Sequence, residues 1–218
     1  MSDQVIKKAI NETIRLYSNT GWKSLFTKWK FWEEPYEELE KLIPDQGKII
    51  DLGCGEGILA NFLVLSSNKR KVLGFEIDKT RLAVANRNIP NTEFKQADIT
   101  KLTIPAADVL TMFHVLHHLS SYEQQEDVLR NCYKALKKNG KLLIVDVEIK
   151  PSLKYWTCWF ADHFLVPWVF EGRFFAPAFF RNSKNWKKFL DEVGFKTKII
   201  PAEAGRPFSN VILECIHP

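Results

Sequence analysis

The length and composition of the chain limit its class before any motif is considered. It has 218 residues, 45% of them apolar and 26% charged, which is the composition of an ordinary globular protein rather than a disordered or fibrous one. A chain of this size fits one domain with a single core. The formal net charge of +5 is modest, and acidic residues are mixed among the basic ones, so charge alone does not indicate a nucleic-acid binder.

Cysteine usage and hydropathy indicate the compartment. The four cysteines are far apart and form no C-x-x-C pair, so they predict neither a zinc site nor a disulfide framework. Residues 2–20 are polar and amphipathic, and no run approaches the roughly 18 apolar residues of a membrane span. We expect a cytoplasmic protein with reduced thiols at Cys54, Cys132, Cys158 and Cys215.

Helical patterns come first in the chain, and strands follow. Residues 1–45 are predicted to be helical, and Pro35 suits the first turn of a helix that ends near Ile43. Short β-branched runs then recur with helical patterns between them, which favours a largely parallel sheet with both faces covered. The predicted strands are Lys48–Leu52, Lys71–Ile77, Thr92–Gln96, Asp108–Phe113 and Lys141–Val147.

Two of the connecting helices have clear end signals. Asp78 is placed to cap the helix after the second strand. Ser120 and Glu123 form a capping-box pattern for the helix between the fourth and fifth strands, and Asn139-Gly140 predicts its end.

The pattern changes after the fifth strand. Residues 150–180 carry eleven aromatic side chains and three prolines, which predict an insertion rather than another strand–helix unit. A last helix, capped at Asn182 or Ser183 and stopped at Gly194, leads into a hairpin. The hairpin strands are Phe195–Ile200 and Asn210–Ile216. The predicted fold is α/β: a seven-stranded, mainly parallel sheet with a C-terminal antiparallel hairpin strand, helices on both faces and an aromatic helical cap.

A glycine turn follows the first strand. The run Asp51-Leu52-Gly53-Cys54-Gly55-Glu56-Gly57 places glycines where a buried strand gives way to a helix, a position that needs positive φ angles and a close approach to a ligand. A tight turn that holds no ligand is the alternative. Glu76 ends the second strand about 20 residues further on, where a carboxylate pairs with ribose hydroxyls, although a solvated carboxylate could also stand there. Together the two features predict a nucleoside-binding crevice.

At these residues the chain resembles the class I S-adenosylmethionine-dependent methyltransferases. The likeness covers roughly residues 46–147 and returns at 191–195. It implies a Rossmann-like fold with S-adenosylmethionine as the cofactor. The motifs that carry it are Ile49–Gly57, Gly74–Asp78, Gln96–Ile99, Ala107–Leu119 and Leu136–Val145.

The resemblance also distributes the parts of the cofactor among residues of this chain. It gives the methionine part to the glycine turn, the ribose to the acid after the second strand, the adenine to the end of the third strand, and the sulfonium surroundings to the end of the fourth. The implied residues are, for the methionine part, Asp51, Gly53, Cys54 and Gly55, and for the ribose, Glu76 and Ile77. For the adenine they are Asp98 and Ile99, and for the sulfonium, Phe113 and His114.

Two other classes of enzyme are disfavoured. A nicotinamide dehydrogenase has the fingerprint G-x-G-x-x-G, whereas the third glycine here comes one residue earlier. DNA and amide N-methyltransferases resemble one another in having Asn or Asp, then Pro-Pro and an aromatic residue, after the fourth strand. This chain has Phe113-His114-Val115-Leu116 there, so nucleobase amino groups are disfavoured as acceptors.

Histidines are the candidates for a general base. Methyl transfer from a sulfonium is an in-line displacement, and a base is needed only if the acceptor is protonated. His114, after the fourth strand, and His163, beside Asp162, are the predicted catalytic residues; lining the cofactor and forming the polar face of a helix are their alternatives. His117 and His118 lie in a Leu-His-His-Leu turn that favours a structural role. No Asp-rich cluster is present, so no metal site is expected.

The segments expected to cover the site are rich in aromatic residues. In this family they precede the first strand and follow the fifth, and their composition predicts an apolar or aromatic acceptor pocket. A satellite core between the caps, or attachment to a membrane surface through interleaved Trp and Lys, are the alternatives. Arginines could bind a carboxylate or phosphate, or could be solvated surface charges. The predicted substrate-binding residues are Tyr17, Trp22, Trp159, Arg173 and Arg206.

We therefore expect one methyltransferase domain over residues 1–218. Its parts are an N-terminal helical cap (1–45), a cofactor-binding core (46–149), an aromatic cap insertion (150–182) and a C-terminal helix with the hairpin (183–218). The predicted reaction is O-methylation of a lipophilic or phenolic small molecule, such as a polyene, quinone or acyl intermediate presented on a carrier or at a membrane; nucleic acid is not expected as a partner. N- or C-methylation of another small metabolite, or a nucleoside-binding module that transfers nothing, are the alternatives.

Overall fold

Buried β-branched runs form a seven-stranded sheet. The computed structural model describes residues 2–18, 21–160, 163–164 and 178–218, without the side chains of residues 21–26 and 158. The strands are β1 (Gly47–Leu52), β2 (Arg70–Glu76), β3 (Thr92–Gln96), β4 (Ala107–Phe113), β5 (Leu136–Val147), β6 (Lys196–Pro201) and β7 (Asn210–Ile216).

The order of strands across the sheet is β3-β2-β1-β4-β5-β7-β6. Strands β1 to β5 pair in parallel, whereas β7 lies antiparallel to both β5 and β6. The carboxyl ends of the five parallel strands therefore share one edge, where open α/β sheets bind ligands. The mainly parallel sheet and its antiparallel C-terminal hairpin confirm the prediction.

Helices cover both faces of the sheet, as predicted. One face packs on helices that precede β1 and on the helix that follows it, and the other packs on the helices that follow β4 and precede β6. The helices are α1 (Asp3–Leu16), α2 (Gly21–Glu33), α3 (Tyr36–Leu42), α4 (Ile58–Ser66), α5 (Lys79–Ala85), α6 (Tyr122–Ala135), α7 (Leu153–Phe160) and α8 (Ser183–Val193). None of them, over the part of the chain that the structure describes, is long and apolar enough to cross a bilayer.

Several helix ends follow the local sequence. The Asp78 carboxylate accepts hydrogen bonds from the first-turn N–H groups of α5, and Asn182 does the same for α8. Gly194 ends α8 in the left-handed conformation with φ 119°. The caps predicted at these residues are confirmed.

The predicted start of α6 is wrong by one residue. Ser121, rather than Ser120, is the N-cap, because its hydroxyl accepts the Gln124 N–H at 3.1 Å. Ser120 contributes differently: its backbone N–H donates to the Gln124 side chain at 3.0 Å. The capping pattern is therefore present but shifted to the Ser121–Gln124 pair.

The predicted end of α6 is also wrong. The helix stops at Ala135 rather than at Asn139-Gly140, because Leu136 already pairs with Ala107 of β4. Asn139 adopts φ 62° and donates its N–H to the His217 carbonyl at 2.9 Å. Backbone pairing with residues distant in the sequence thus makes residues 136–140 part of β5 rather than of the helix.

A buried ion pair fixes the N-terminal helices to the core. Arg70 Nη1 of β2 lies 2.7 Å from Glu40 Oε2 of α3, and both side chains are inaccessible to solvent. The same guanidinium donates to the carbonyls of Ile43 and Pro44. Removing one partner of such a pair costs about 3–5 kcal/mol, so the position of α3 over the sheet is firmly set.

Candidate active site

The glycine turn adopts the backbone conformation that its composition predicts. Gly53, Gly55 and Gly57 have φ angles of 75°, 54° and 72°, which favour glycine. The N–H groups of Gly53 and Cys54 both donate to the Phe75 carbonyl, at 2.8 and 2.9 Å. A Cβ on Gly53 would lie 2.6 Å from the Val115 side chain, so the turn packs directly against the segment that leaves β4.

Glu76 lies beside this turn, with its carboxylate anchored by backbone. One oxygen accepts the Gly55 N–H at 2.9 Å, and the other accepts the N–H groups of Ile77 and Asp78 at 2.8 and 3.0 Å. A carboxylate has about four acceptor positions and three are used here, so about one is left to accept a hydrogen bond from a ribose hydroxyl. The Ile77 side chain is 61% exposed, which leaves an apolar surface next to the carboxylate for a flat ring.

Asp51 is a buried carboxyl group at the same edge of the sheet. It is 1% exposed and accepts a hydrogen bond from the Thr111 hydroxyl at 2.8 Å. Burial raises the pKa of Asp51 to about 7, and the nearby negative charge of Glu76 adds to this effect. A cationic group beside it would favour the ionised form, which suits the amino group of a bound amino acid.

The remaining predicted cofactor residues lie around these groups. Asp98 accepts hydrogen bonds from the Thr100 N–H and hydroxyl, at 3.0 and 2.6 Å, which lower its pKa and define a local turn. Ile99 is buried in the core behind it. The Cys54 thiol is directed against Gly74, so Cys54 offers the crevice its backbone rather than its sulfur.

His114 and Phe113 extend from the end of β4 as the next group. His114 has a positive φ of 54°, uncommon for a residue with a side chain, and its Nε2 lies 2.8 Å from Glu34 Oε2. Burial alone would raise the pKa of Glu34, but the charges of His114 and Lys30 outweigh it and hold the pKa below its usual value. Phe113 stacks on Tyr36, with ring centroids 4.8 Å apart.

A second histidine–carboxylate pair lies next to the first and was missed in the sequence. His117 Nδ1 is 2.5 Å from Asp146 Oδ1 on β5, and both side chains are buried. The His114 and His117 rings are 5.9 Å apart. The signal that could have found the pair is an acid at the end of β5 next to the turn after β4, since these strands are neighbours in the sheet.

These groups could suggest a metal site, but their spacing is that of a hydrogen bond. His114, His117 and Asp146 have ligand atoms within 4.8 Å of one another. Two ligands of one tetrahedral zinc ion, each about 2.0–2.1 Å from it, lie roughly 3.3 Å apart. The 2.5 Å between His117 and Asp146 is shorter than that and is the separation of a hydrogen bond. The absence of a metal site stays a prediction.

Another residue missed in the sequence is Arg81, on the first turn of α5. A Cβ at Gly55 would lie 2.8 Å from Arg81 Nη2, so the guanidinium rests against the glycine turn. Its positive charge also lowers the pKa of Asp78, after the hydrogen bonds from Thr80. The Arg81 guanidinium thus places a positive charge beside the glycine turn, where the sequence pattern had indicated only the start of a helix.

The predicted substrate residues lie in different surroundings. The Tyr17 hydroxyl donates to the Glu56 carbonyl at 2.7 Å and accepts from Asn61, and burial raises its pKa to about 12. Arg206 forms two hydrogen bonds with the Glu38 carboxylate, at 2.6 and 2.8 Å, which join the C-terminal loop to α3.

The two predicted residues of the aromatic insertion that the structure describes stack on each other. The Trp159 and His163 rings are 4.5 Å apart, and His163 Nδ1 lies 2.8 Å from the Trp159 carbonyl. Asp162, expected to orient His163, and Arg173 lie outside the described residues, as does the side chain of Trp22. The substrate roles of all these residues stay predictions.

The fold and the crevice together define a class. A parallel sheet with a glycine turn after β1, a buried acid beside that turn and an anchored acid after β2 is a nucleoside-cofactor-binding α/β domain. Residues 50–144 match the family model described as "Methyltransferase domain". Residues 50–144 therefore form a methyltransferase domain of the class I S-adenosylmethionine-dependent type, for which S-adenosylmethionine is the cofactor.

Curated relatives and a solved structure agree with this placement. The chain is 26% identical over 156 residues to demethylmenaquinone methyltransferase of Thermotoga maritima, covering 70% of this chain and 65% of that protein. It is 31% identical over 108 residues to (R,S)-reticuline 7-O-methyltransferase of Papaver somniferum, covering 49% and 29%. Human N-acetylserotonin methyltransferase in complex with the cofactor superposes with a TM-score of 0.66 at 16% identity, covering 97% of this chain and 57% of that one. The chain thus spans less than two thirds of the length of these relatives.

Proposed function

We propose that this protein transfers a methyl group to a hydroxyl oxygen of a lipophilic or phenolic small molecule. The observation that carries the proposal is the pair of histidine–carboxylate contacts at the carboxyl ends of β4 and β5, next to the glycine turn. A hydroxyl acceptor must lose its proton during transfer, and an imidazole is the side chain suited to take it near neutral pH. The relative named (R,S)-reticuline 7-O-methyltransferase supports an oxygen acceptor, and the one named demethylmenaquinone methyltransferase supports a lipophilic small molecule.

His114 is our candidate for the base. Its side chain is 20% exposed, whereas that of His117 is 1% exposed, so His114 is the more accessible to an acceptor. Glu34 is held in its ionised form and accepts the Nε2 proton, which leaves Nδ1 as the acceptor nitrogen of the neutral ring. S-Adenosylmethionine, when bound, supplies the electrophilic methyl group. His114 would take the hydroxyl proton as the oxygen attacks, and the Glu34 carboxylate would stabilise the resulting imidazolium.

His114→Gln should lower kcat by about 100-fold or more, the usual loss for a general base, with S-adenosylmethionine affinity nearly unchanged. His217→Gln is the matched control, because His217 lies at the far end of the sheet beside Tyr133. Steady-state kinetics with a phenolic acceptor and calorimetry with the cofactor would measure both effects. Near wild-type turnover in His114→Gln would exclude this base, and a large loss in His117→Gln alone would transfer the role to the Asp146 pair.

Glu34 is a positioning residue, and its role has its own signature. Glu34→Gln keeps the shape but removes the negative charge that favours a protonated imidazole. The acidic limb of the kcat–pH profile should therefore move to lower pH, an effect that a purely structural contact would not produce. A profile of unchanged shape with reduced amplitude would contradict this role.

N- or C-methylation of another metabolite, and a module that binds the cofactor without transfer, remain the competing functions. An acceptor carbon or nitrogen without a proton to lose would leave turnover insensitive to His114→Gln. Cofactor binding without labelled product from any small molecule would favour the module.

A further inference from the structure

The helix α7 presents large apolar side chains to solvent along one face. Leu153, Trp156 and Phe160 are 81%, 57% and 57% exposed, and their spacing of three and then four residues puts them on the same side of the helix. The opposite side carries Tyr155 and Trp159, which pack against the small core under the insertion. The helix therefore carries apolar side chains on two sides, one packed against the protein and one exposed to solvent.

The C-terminal half of α2 also carries exposed aromatic side chains. Trp32 is 57% exposed, and Trp29, 42% exposed, has its ring 6.0 Å from that of Phe208. Phe208 belongs to the same small core as Tyr155 and Trp159 of α7. The two helices thus flank one aromatic cluster. We call Trp29 and Trp32 together with Leu153, Trp156 and Phe160 the docking face.

The charges around the docking face are mainly basic. Lys28 is exposed on α2, one turn before Trp32, whereas the Glu33 side chain is 1% exposed and faces inward. Residues 149–160 contain Lys150 and Lys154 and no acid. The Glu203 carboxylate of the neighbouring loop pairs with Lys150 and offsets its charge, whereas Lys154 donates only to the uncharged Glu203 carbonyl and keeps its net charge. Exposed Trp, Leu and Phe beside Lys are the composition of segments that lie in the interface of anionic lipid bilayers.

We infer that the docking face binds the surface of an anionic lipid bilayer. Trp and Phe would enter the headgroup region, and the lysines would meet the lipid phosphates. A second copy of this chain is the competing occupant, but a two-fold contact through this face would bring like-charged lysines together, which disfavours it.

The location of the docking face suggests what membrane binding would do for the enzyme, an argument that rests on the proposed function. α7 follows β5, and α2 ends next to Glu34, whose carboxylate contacts His114. The docking face therefore borders the same edge of the sheet as the candidate base. A lipophilic acceptor dissolved in a bilayer could reach the crevice without crossing bulk water.

Vesicle co-sedimentation of the full chain tests this inference. Vesicles of phosphatidylcholine alone are compared with vesicles that also contain roughly a third of phosphatidylserine. The wild type should bind the anionic vesicles, and less so at high salt. The combined variant Leu153→Ser, Trp156→Ser, Phe160→Ser should bind about tenfold more weakly, and Trp32→Ser on the other helix should weaken binding independently. Val5→Ser, an exposed apolar residue on α1, is the matched control and should bind as the wild type does.

Three results would overturn the inference. The first is no binding of the wild type to either kind of vesicle, and the second is binding by the docking-face variants that is as strong as that of Val5→Ser. The third is a concentration-dependent dimer that the docking-face variants dissociate. Thermal unfolding and cofactor calorimetry of each variant check that the fold is retained. Vesicle binding does not require turnover. A protein that binds vesicles but transfers no methyl group would therefore contradict the proposed function without contradicting this inference.

Discussion

The cofactor side and the acceptor side of the crevice are built from different parts of the chain. The cofactor side uses backbone conformation and acids on neighbouring strands: N–H groups of the glycine turn donate to the Phe75 carbonyl and to the Glu76 carboxylate of β2. The acceptor side uses side chains brought together over long separations, such as Glu34 with His114 and Arg206 with Glu38. This difference explains why the cofactor could be recognised from the sequence while the acceptor remains a proposal.

If the cofactor side depends on backbone approach, Gly53→Ala should have the largest effect. An added Cβ would lie 2.6 Å from Val115 at a φ of 75°, so both the turn and its packing must shift. We expect S-adenosylmethionine to bind at least about 100-fold more weakly by calorimetry, the size of loss that a change of about 2.7 kcal/mol produces.

Gly205→Ala is the matched control for that substitution. Gly205 has nearly the same φ, 73°, but no atom would lie within 4 Å of its added Cβ. It therefore shares the backbone cost of roughly 1 kcal/mol without the steric conflict and should leave cofactor affinity unchanged. Equal affinities of the two variants would contradict a role for close approach at Gly53.

Glu76→Gln should have the next largest effect. The substitution keeps the size of the side chain but turns one acceptor oxygen into a donor that faces backbone N–H groups, and it removes the charge-assisted hydrogen bonds available to a ribose. Calorimetry should show cofactor affinity reduced by roughly 10- to 100-fold. Glu93→Gln, an exposed acid on β3 that pairs with Lys95, is the control and should have no effect. Unchanged affinity in Glu76→Gln would remove the ribose assignment.

The pH dependence of cofactor binding should show a smaller effect that reports on Asp51. Because burial raises the pKa of Asp51 to about 7, the carboxyl is mainly protonated at about pH 6 and mainly ionised at about pH 7.5. The cationic amino group of the cofactor favours the ionised form, so affinity should rise roughly tenfold over this interval, with proton release on binding. Asp51→Asn should remove the dependence. A flat profile in the wild type would place the amino group elsewhere.

Much of the sheet could be predicted because its strands are short buried runs between turn signals. All seven predicted strands are present, and the hairpin lies where Phe195 and Asn210 indicated. The end of α6 could not be predicted locally, because Lys137 to Gly140 carry the polar residues and the glycine of a helix end. Pairing of Leu136 with Ala107 and of Asn139 with His217 decides their conformation instead.

The candidate site divides in the same way. Glu76 and the glycines were predictable because neighbouring strands place them together. The His114–Glu34 pair joins residues 80 positions apart, and His117–Asp146 joins residues 29 positions apart, so local patterns contain no sign of either contact. The turn of His117 had favoured a structural role, and only the β4–β5 register brings Asp146 to it.

Transfer of the methyl group itself tests the central claim most directly. The full chain is incubated with S-adenosylmethionine carrying a labelled methyl group and a panel of phenols and hydroquinones, and the label is followed into organic extract, protein and nucleic acid. We predict label on a hydroxyl oxygen in the organic extract, reduced in Glu76→Gln when the cofactor is below saturation and about 100-fold lower in His114→Gln. Label on protein or nucleic acid, or tight cofactor binding with no small-molecule product, would contradict the account.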